Sequence, residues 1–234
     1  MQSNLPISLA LHLSMVLLTI GIIVLMRIIG HQSTHPESIP RTSKVFGFSM
    51  SVIWIIYNAY YFHPSNFEWR TSLPLHVCDL LGPISSIALI TSNKNARALL
   101  YFCAIPFAAQ AIITPTGNQD PNTLRFWLYW LLHAGIISSS IFDLTLRGYR
   151  PTQKDFVRVL FVDTLYVVMI TPFNILFDWN YGYLGASKPD TPTALDLLGP
   201  WPERIGVMLL VAALLQCLMY LPWFIRDGLL NSGY

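Results

Sequence analysis

A thiol, an imidazole and a carboxylate fall within four residues at His76-Val77-Cys78-Asp79, just after Leu73-Pro74-Leu75 and at the head of an apolar run. A cysteine becomes a strong nucleophile when a nearby base takes its proton, and it then carries an acyl group covalently. The competing role for a cysteine in an apolar segment is that of a small buried hydrophobe. Cys103 and Cys217, with plain apolar neighbours, fit that second role. Cys78 stands apart because His76 and Asp79 flank it. Residues one or two apart do not share a helix face, so His76 is a poor base for Cys78 if the helix starts at residue 75.

His133, within Trp130-Leu131-Leu132-His133-Ala134-Gly135, is the better base. An ionisable side chain in the body of a membrane span is costly and points to function, and a neutral imidazole there accepts a proton. The structural alternative is a histidine that hydrogen-bonds two helices together. Gln110 and Thr114 lie one turn apart and share a face. Asn174 follows Thr171-Pro172, where proline frees backbone carbonyls. All three are candidate donors to a developing oxyanion, as acyl transfer requires, or else links between helices. Asp163, deeper in the same span as Asn174, pairs most simply with Arg158 or Arg147. His31, His35 and His63 show no ligand spacing, and no metal site is expected.

The elements that must position these groups are membrane helices. The chain has 234 residues, 53% of them hydrophobic and 11% charged, against about 25% charged in a soluble domain. It reads as a single polytopic transmembrane domain over 1–234, all-α. The net charge of +2 is small and dispersed, which excludes a nucleic-acid partner. Seven segments approach spanning length, at about 7–29, 44–62, 75–91, 97–113, 124–146, 156–178 and 204–225. The first is too long for a signal-peptide core and reads as a retained helix.

Orientation follows from the basic residues. Arg27, Arg41, Lys44, Lys94, Arg97, Arg147, Arg150, Lys154, Arg158 and Arg226 flank one side, against Arg70, Arg125, Lys188 and Arg204 on the other. The ten-to-four bias predicts an outward N-terminus and a cytoplasmic C-terminus. Cys78 and His133 then both enter from the outer side, each on the order of 10 Å below an interfacial tryptophan, Trp69 or Trp127.

Several motifs resemble those of the YwaF-like family of integral membrane proteins. They are Leu73-Pro74-Leu75-His76-Val77-Cys78-Asp79, Gln110-Ala111-Ile112-Ile113-Thr114-Pro115, His133-Ala134-Gly135 and Gly148-Tyr149-Arg150-Pro151-Thr152. Asn180-Tyr181-Gly182-Tyr183-Leu184 and Leu197-Leu198-Gly199-Pro200-Trp201-Pro202 extend the resemblance, which runs from about residue 44 onward. The family is similar to a eukaryotic multispanning cysteine acyltransferase of ether phospholipids, and more distantly to the androgen-induced membrane hydrolases. The resemblance implies that Cys78 is the nucleophile and His133 its histidine. It implies His76, Gln110, Thr114, Asn174, Tyr181 and Tyr183 as substrate-binding residues. Glu203 and Arg204 depart from the apolar or aromatic pair expected after the last motif.

The function expected is that of a membrane-embedded phospholipid acyltransferase, or acyl-ester hydrolase, working through an acyl-cysteine. Its partners would be a phospholipid or lysophospholipid and the surrounding membrane lipids, with no cofactor, in a bacterial inner (plasma) membrane. The alternative is a small transporter or lipid-binding membrane protein without catalysis, with His133, Asp163 and Gln110 lining a passage.

Overall fold

The computed structural model describes residues 7–31, 40–117, 119–187 and 193–231; His35 and Lys188, read above from the sequence, lie outside them. Eight α-helices follow in order: α1 (Leu9–His31), α2 (Arg41–Phe62), α3 (Val77–Thr91), α4 (Lys94–Cys103), α5 (Ala109–Ile113), α6 (Leu124–Thr145), α7 (Gln153–Phe177) and α8 (Glu203–Asn231). A π-helical turn, Ala104–Ala108, joins α4 to α5, so the two form one span in two parts. Among the described residues there is no strand, and the chain is a helical membrane bundle.

The seven segments expected from the sequence are all helical, and five of them are long and apolar enough to cross a membrane. The other two are the ones that carry the candidate chemistry. α3, of 15 residues, is short because Pro74 and the extended backbone at His76 delay its start. α6 has the length, at 22 residues, but His133, Ser138-Ser139-Ser140 and Asp143 dilute its apolarity. Such a helix is tolerable only inside the protein, and that is where it lies. Phe126, Leu132 and Ile136 of α6 pack with Leu81 and Ala88 of α3 and with Ala98, Leu100 and Phe102 of α4 in one core. Around this trio stand α1, α2, α7 and α8, whose outer faces (Leu17, Phe48, Phe161 and Leu218, for example) are exposed, as lipid-facing helices require.

Ends are set by local chemistry. Asn93 caps α4, its side chain accepting from the Asn95 and Ala96 N–H groups, and Thr152 with Asp155 forms a capping box on α7. Pro106 lies in the π-helical turn; it has no N–H to donate and its ring clashes with the preceding turn, which is a known cause of such widening.

Connections alternate between the two ends of the bundle. One end gathers the described residues of 63–76, 114–117, 119–123, 178–187 and 193–202, and the candidate site sits beneath them. The opposite end is closed by ions. The buried carboxylate of Asp143 receives Arg97 Nε at 2.8 and 3.1 Å and Arg147 Nη1 at 3.2 Å. Arg147 also donates to the Ala88 carbonyl, at 2.8 Å, at the end of α3.

Candidate active site

α3 begins at Val77, with His76 as its N-cap in extended conformation. The His76 N–H donates to Asp79 Oδ2 at 3.1 Å, so the acidic residue closes the helix start. Its position beside Cys78 therefore has a structural reason. Cys78 is half-buried at the second helical position.

The segment entering α3 is tied from three directions. Leu73 N–H donates to the Tyr181 hydroxyl at 3.0 Å, and that hydroxyl donates to the Trp69 carbonyl at 2.8 Å. The Tyr166 hydroxyl of α7 donates to the Leu75 carbonyl at 2.7 Å. Trp54 Nε1 of α2 donates to the Asp79 carbonyl at 2.7 Å. The Leu73 N–H and the Trp69 and Leu75 carbonyls, outside any helix, are thus partnered, and so is the Asp79 carbonyl, which Pro83 leaves without an N–H four residues on in α3. Burial pushes the Tyr181 phenol up to about 12, so it stays protonated and holds both of its bonds.

His76 lies outside the helix, so the objection that it cannot share a face with Cys78 does not apply. Its ring packs between Tyr181 and Tyr183, with centroids 5.1 and 5.6 Å away. Its Nδ1 accepts from the Gly182 N–H at 3.3 Å. In the neutral ring the proton is then on Nε2, leaving a donor.

His133 has the opposite tautomer. Its Nδ1 lies 2.7 Å from the Tyr129 carbonyl, one turn earlier on α6. A carbonyl only accepts, so Nδ1 carries the proton and Nε2 presents a free lone pair. The Tyr129 ring lies against the imidazole with centroids 4.4 Å apart and the planes tilted by 42°. His133 is 5% exposed. The two imidazoles lie within electrostatic reach of each other. Cys78 lies within the same reach of Tyr57, Tyr129, Tyr166 and Tyr183. α3 and α6 pack directly against each other. The structure thus gathers Cys78, His76, His133 and four tyrosines beneath one end of the bundle. Among the described residues no hydrogen bond joins Cys78 to either histidine.

Gln110 Nε2 donates to the Thr114 hydroxyl, which also donates to the Gln110 carbonyl at 3.3 Å. The pair shares a face as expected and closes the end of α5. Next to it, the Tyr129 hydroxyl donates to the Ala111 carbonyl at 2.8 Å, and Thr116 and Tyr183 pair through their hydroxyls at 3.3 Å. Tyr183 therefore bridges the segment after α5, at Thr116, to the segment after α7. Asn174 commits its side-chain amide to the loop of Tyr181. Its side chain donates to the Tyr181 carbonyl at 2.8 Å and accepts the Tyr181 N–H at 3.0 Å. It is 2% exposed and clamps the loop that carries Tyr181.

Asp163 does not pair with Arg158 or Arg147, which bind Asp155 and Asp143. It accepts from Gln216 Nε2 of α8 at 2.6 Å and from the Cys103 thiol of α4 at 3.7 Å. Cys103 is therefore more than the plain filler its apolar sequence neighbours suggest. Its partners come from two other helices, and no spacing along the chain signals them.

A family model, the TMEM164 family, matches residues 5–220. The chain belongs to the TMEM164 family. Comparison with curated proteins and with solved structures gives no match. The matched span takes in all eight helices except the end of α8, and with them every residue of the candidate site.

Proposed function

We propose that this TMEM164-family chain is a membrane-embedded acyltransferase, or acyl-ester hydrolase, that moves phospholipid fatty-acyl chains through an acyl-cysteine at Cys78. The observation that carries this reading is the fixed tautomer of His133. Its Nδ1–H is held by the Tyr129 carbonyl at 2.7 Å, so Nε2 is a base with its orienting group already in place. It lies on the helix packed against Cys78. Family membership supports the same reading, because this chain resembles the eukaryotic ether-phospholipid acyltransferase. The finer YwaF-like assignment rests on the six motifs quoted above.

In the first half-reaction, His133 Nε2 takes the Cys78 proton and the sulfur attacks the ester carbonyl. The tetrahedral oxyanion collapses, the ester C–O bond breaks, and His133 returns the proton to the departing lysolipid alkoxide. A thioester remains. In the second half, His133 deprotonates a lysophospholipid hydroxyl or a water, whose oxygen attacks the thioester carbonyl. The C–S bond breaks and Cys78 regains its proton. His76, with Nε2–H as donor, is placed to stabilise the oxyanion. The basic-residue bias supports a site facing the outer side, and the membrane we assign is a bacterial inner membrane.

Intact mass measurement of the purified protein in phospholipid tests the reading. A fatty-acyl adduct mapping to Cys78, absent in Cys78→Ala and discharged by added lysolipid, is expected. A wild-type protein with no adduct under turnover conditions overturns it. The second reading, transport or lipid binding without catalysis, draws on the contact of Asp163 with Cys103 and Gln216, since Cys103 is also within electrostatic reach of Cys78. Polar groups then continue inward from the site. If transport is the function, Asp163→Asn abolishes activity while Cys78→Ala retains it.

A further inference from the structure

Arg125, on the second residue of α6, is the feature of the site end that the proposed chemistry leaves unused. Its Nε donates to the Tyr61 hydroxyl at 3.1 Å. Among the described residues no carboxylate pairs with it, whereas Arg70, Arg97, Arg147, Arg158 and Arg226 each have an acidic partner. The guanidinium is half-buried and lies against Gly117. That glycine has φ +75°, and a Cβ there would stand 2.1 Å from Arg125 Nη2. The chain thus keeps a bare backbone at the one place where the guanidinium passes.

The Gly117 turn is itself held firmly. Gln119 Nε2 donates to the Thr116 carbonyl at 2.8 Å, and Trp130 Nε1 donates to Gln119 Oε1 at 3.1 Å. Tyr61, which orients Nε, is within electrostatic reach of Tyr57 and Tyr183, and both of those are within reach of Cys78. Arg125 is accordingly linked to the surroundings of the thiol through Tyr61 and then Tyr57 or Tyr183. Its Nε is engaged and its Nη1 and Nη2 have no acceptor among the described residues.

We infer that Arg125, seated by Tyr61 and Gly117, is the phosphate-binding residue of this site, so that the lipid taken up is a phosphate-bearing glycerolipid rather than a neutral ester. A planar fork with no carboxylate of its own suits two oxygens of a phosphodiester, and a partly desolvated setting strengthens such charge-assisted bonds. Arg125 stands at the second residue of α6, eight residues before His133 and so on the order of 12 Å nearer the loop end, an order that matches a phospholipid with its phosphate outside and its acyl ester further in. The inference rests on the acyl-transfer reading for its substrate, but its test does not need turnover.

Binding is measured on the full chain carrying Cys78→Ala, in detergent, by native mass spectrometry. The probes are a lysophospholipid, a monoacylglycerol of the same chain, and inorganic phosphate as competitor. The background protein is expected to prefer the lysophospholipid, and Arg125→Gln to lower that affinity about tenfold while leaving monoacylglycerol binding unchanged. Equal binding of the two lipids by the Cys78→Ala protein overturns the inference without any Arg125 variant having to fold. So does an equal loss for both lipids in Arg125→Gln. Displacement of lysophospholipid by millimolar phosphate assigns the site to phosphate in general, and failure to displace assigns it to the lipid headgroup; both uphold recognition of phosphate. Selective binding combined with no Cys78 adduct in wild type leaves this site standing and removes the catalytic reading.

Discussion

At the scale of single residues, the two histidines divide the roles that the sequence left with one. His133 has Nδ1 fixed on a carbonyl and Nε2 free, while His76 has Nδ1 fixed on the Gly182 N–H and Nε2–H free. One is a base and the other a donor, set entirely by what the opposite nitrogen meets. His133→Gln should therefore slow formation of the Cys78 adduct by roughly 10²–10⁴-fold, followed by intact mass against time. His76→Gln, which keeps an N–H donor, should fall far less, and equal losses in both variants would show that the assignment of roles is mistaken. Cys78 and His133 stand out in the sequence because such residue types are unusual in apolar runs, and the structure packs their helices, α3 and α6, against each other. The position of His76 was not legible, since it depended on α3 starting at residue 77 rather than 75, and helix starts shift by a residue or two near proline.

At the scale of elements, the site depends on one short stretch of backbone and one tyrosine. Tyr181 is fully buried, and its hydroxyl bridges the Leu73 N–H and the Trp69 carbonyl. Tyr181→Phe should lower stability by about 0.5–1.5 kcal/mol, because two part-buried backbone hydrogen bonds are lost. The measurement is thermal unfolding in detergent, and an unchanged midpoint would mean that the bridge contributes nothing. Gly182 has φ +65°, and a Cβ there would lie 2.5 Å from the Tyr166 hydroxyl. Gly182→Ala should therefore displace the bond from Tyr166 to Leu75 and reduce adduct formation, at a cost of about 1–3 kcal/mol from the backbone alone. Helix number and bounds came almost directly from hydropathy, because length and apolarity are local properties. The π-helical turn at Ala104–Ala108 did not. Pro106 announces a disturbance, but whether the chain kinks, breaks or widens is decided by packing against α3 and α6.

At the scale of the whole molecule, the two ends of the bundle are separable. The Asp143 cluster closes one end and the tyrosine-lined site the other. Asp143→Ala strands two arginines in a buried setting and should destabilise by about 3–5 kcal/mol. Adduct formation per folded molecule should stay within about twofold, because distant sites contribute independently. A variant that folds as wild type but loses the adduct would contradict this independence. The pairing of Asp143 with Arg147 spans only four residues, yet the sequence alone offers Arg147 to Asp163, whereas the Asp163 contact with Gln216 and Cys103 spans three helices and leaves no spacing to read. The same contact bears on how the bundle comes apart. α7 meets the core through Val159 and Phe156 near its start and through the hydrogen bonds of Asp163, Tyr166 and Asn174 further along, while most of its apolar surface faces lipid, a solvent as oily as leucine that gives it little reason to prefer protein. Polar fastenings of this kind yield to competitors for hydrogen bonds. The loosening of α7 should accordingly track the hydrogen-bonding power of the surrounding amphiphile's headgroup, and be nearly indifferent to the length of its hydrocarbon tail.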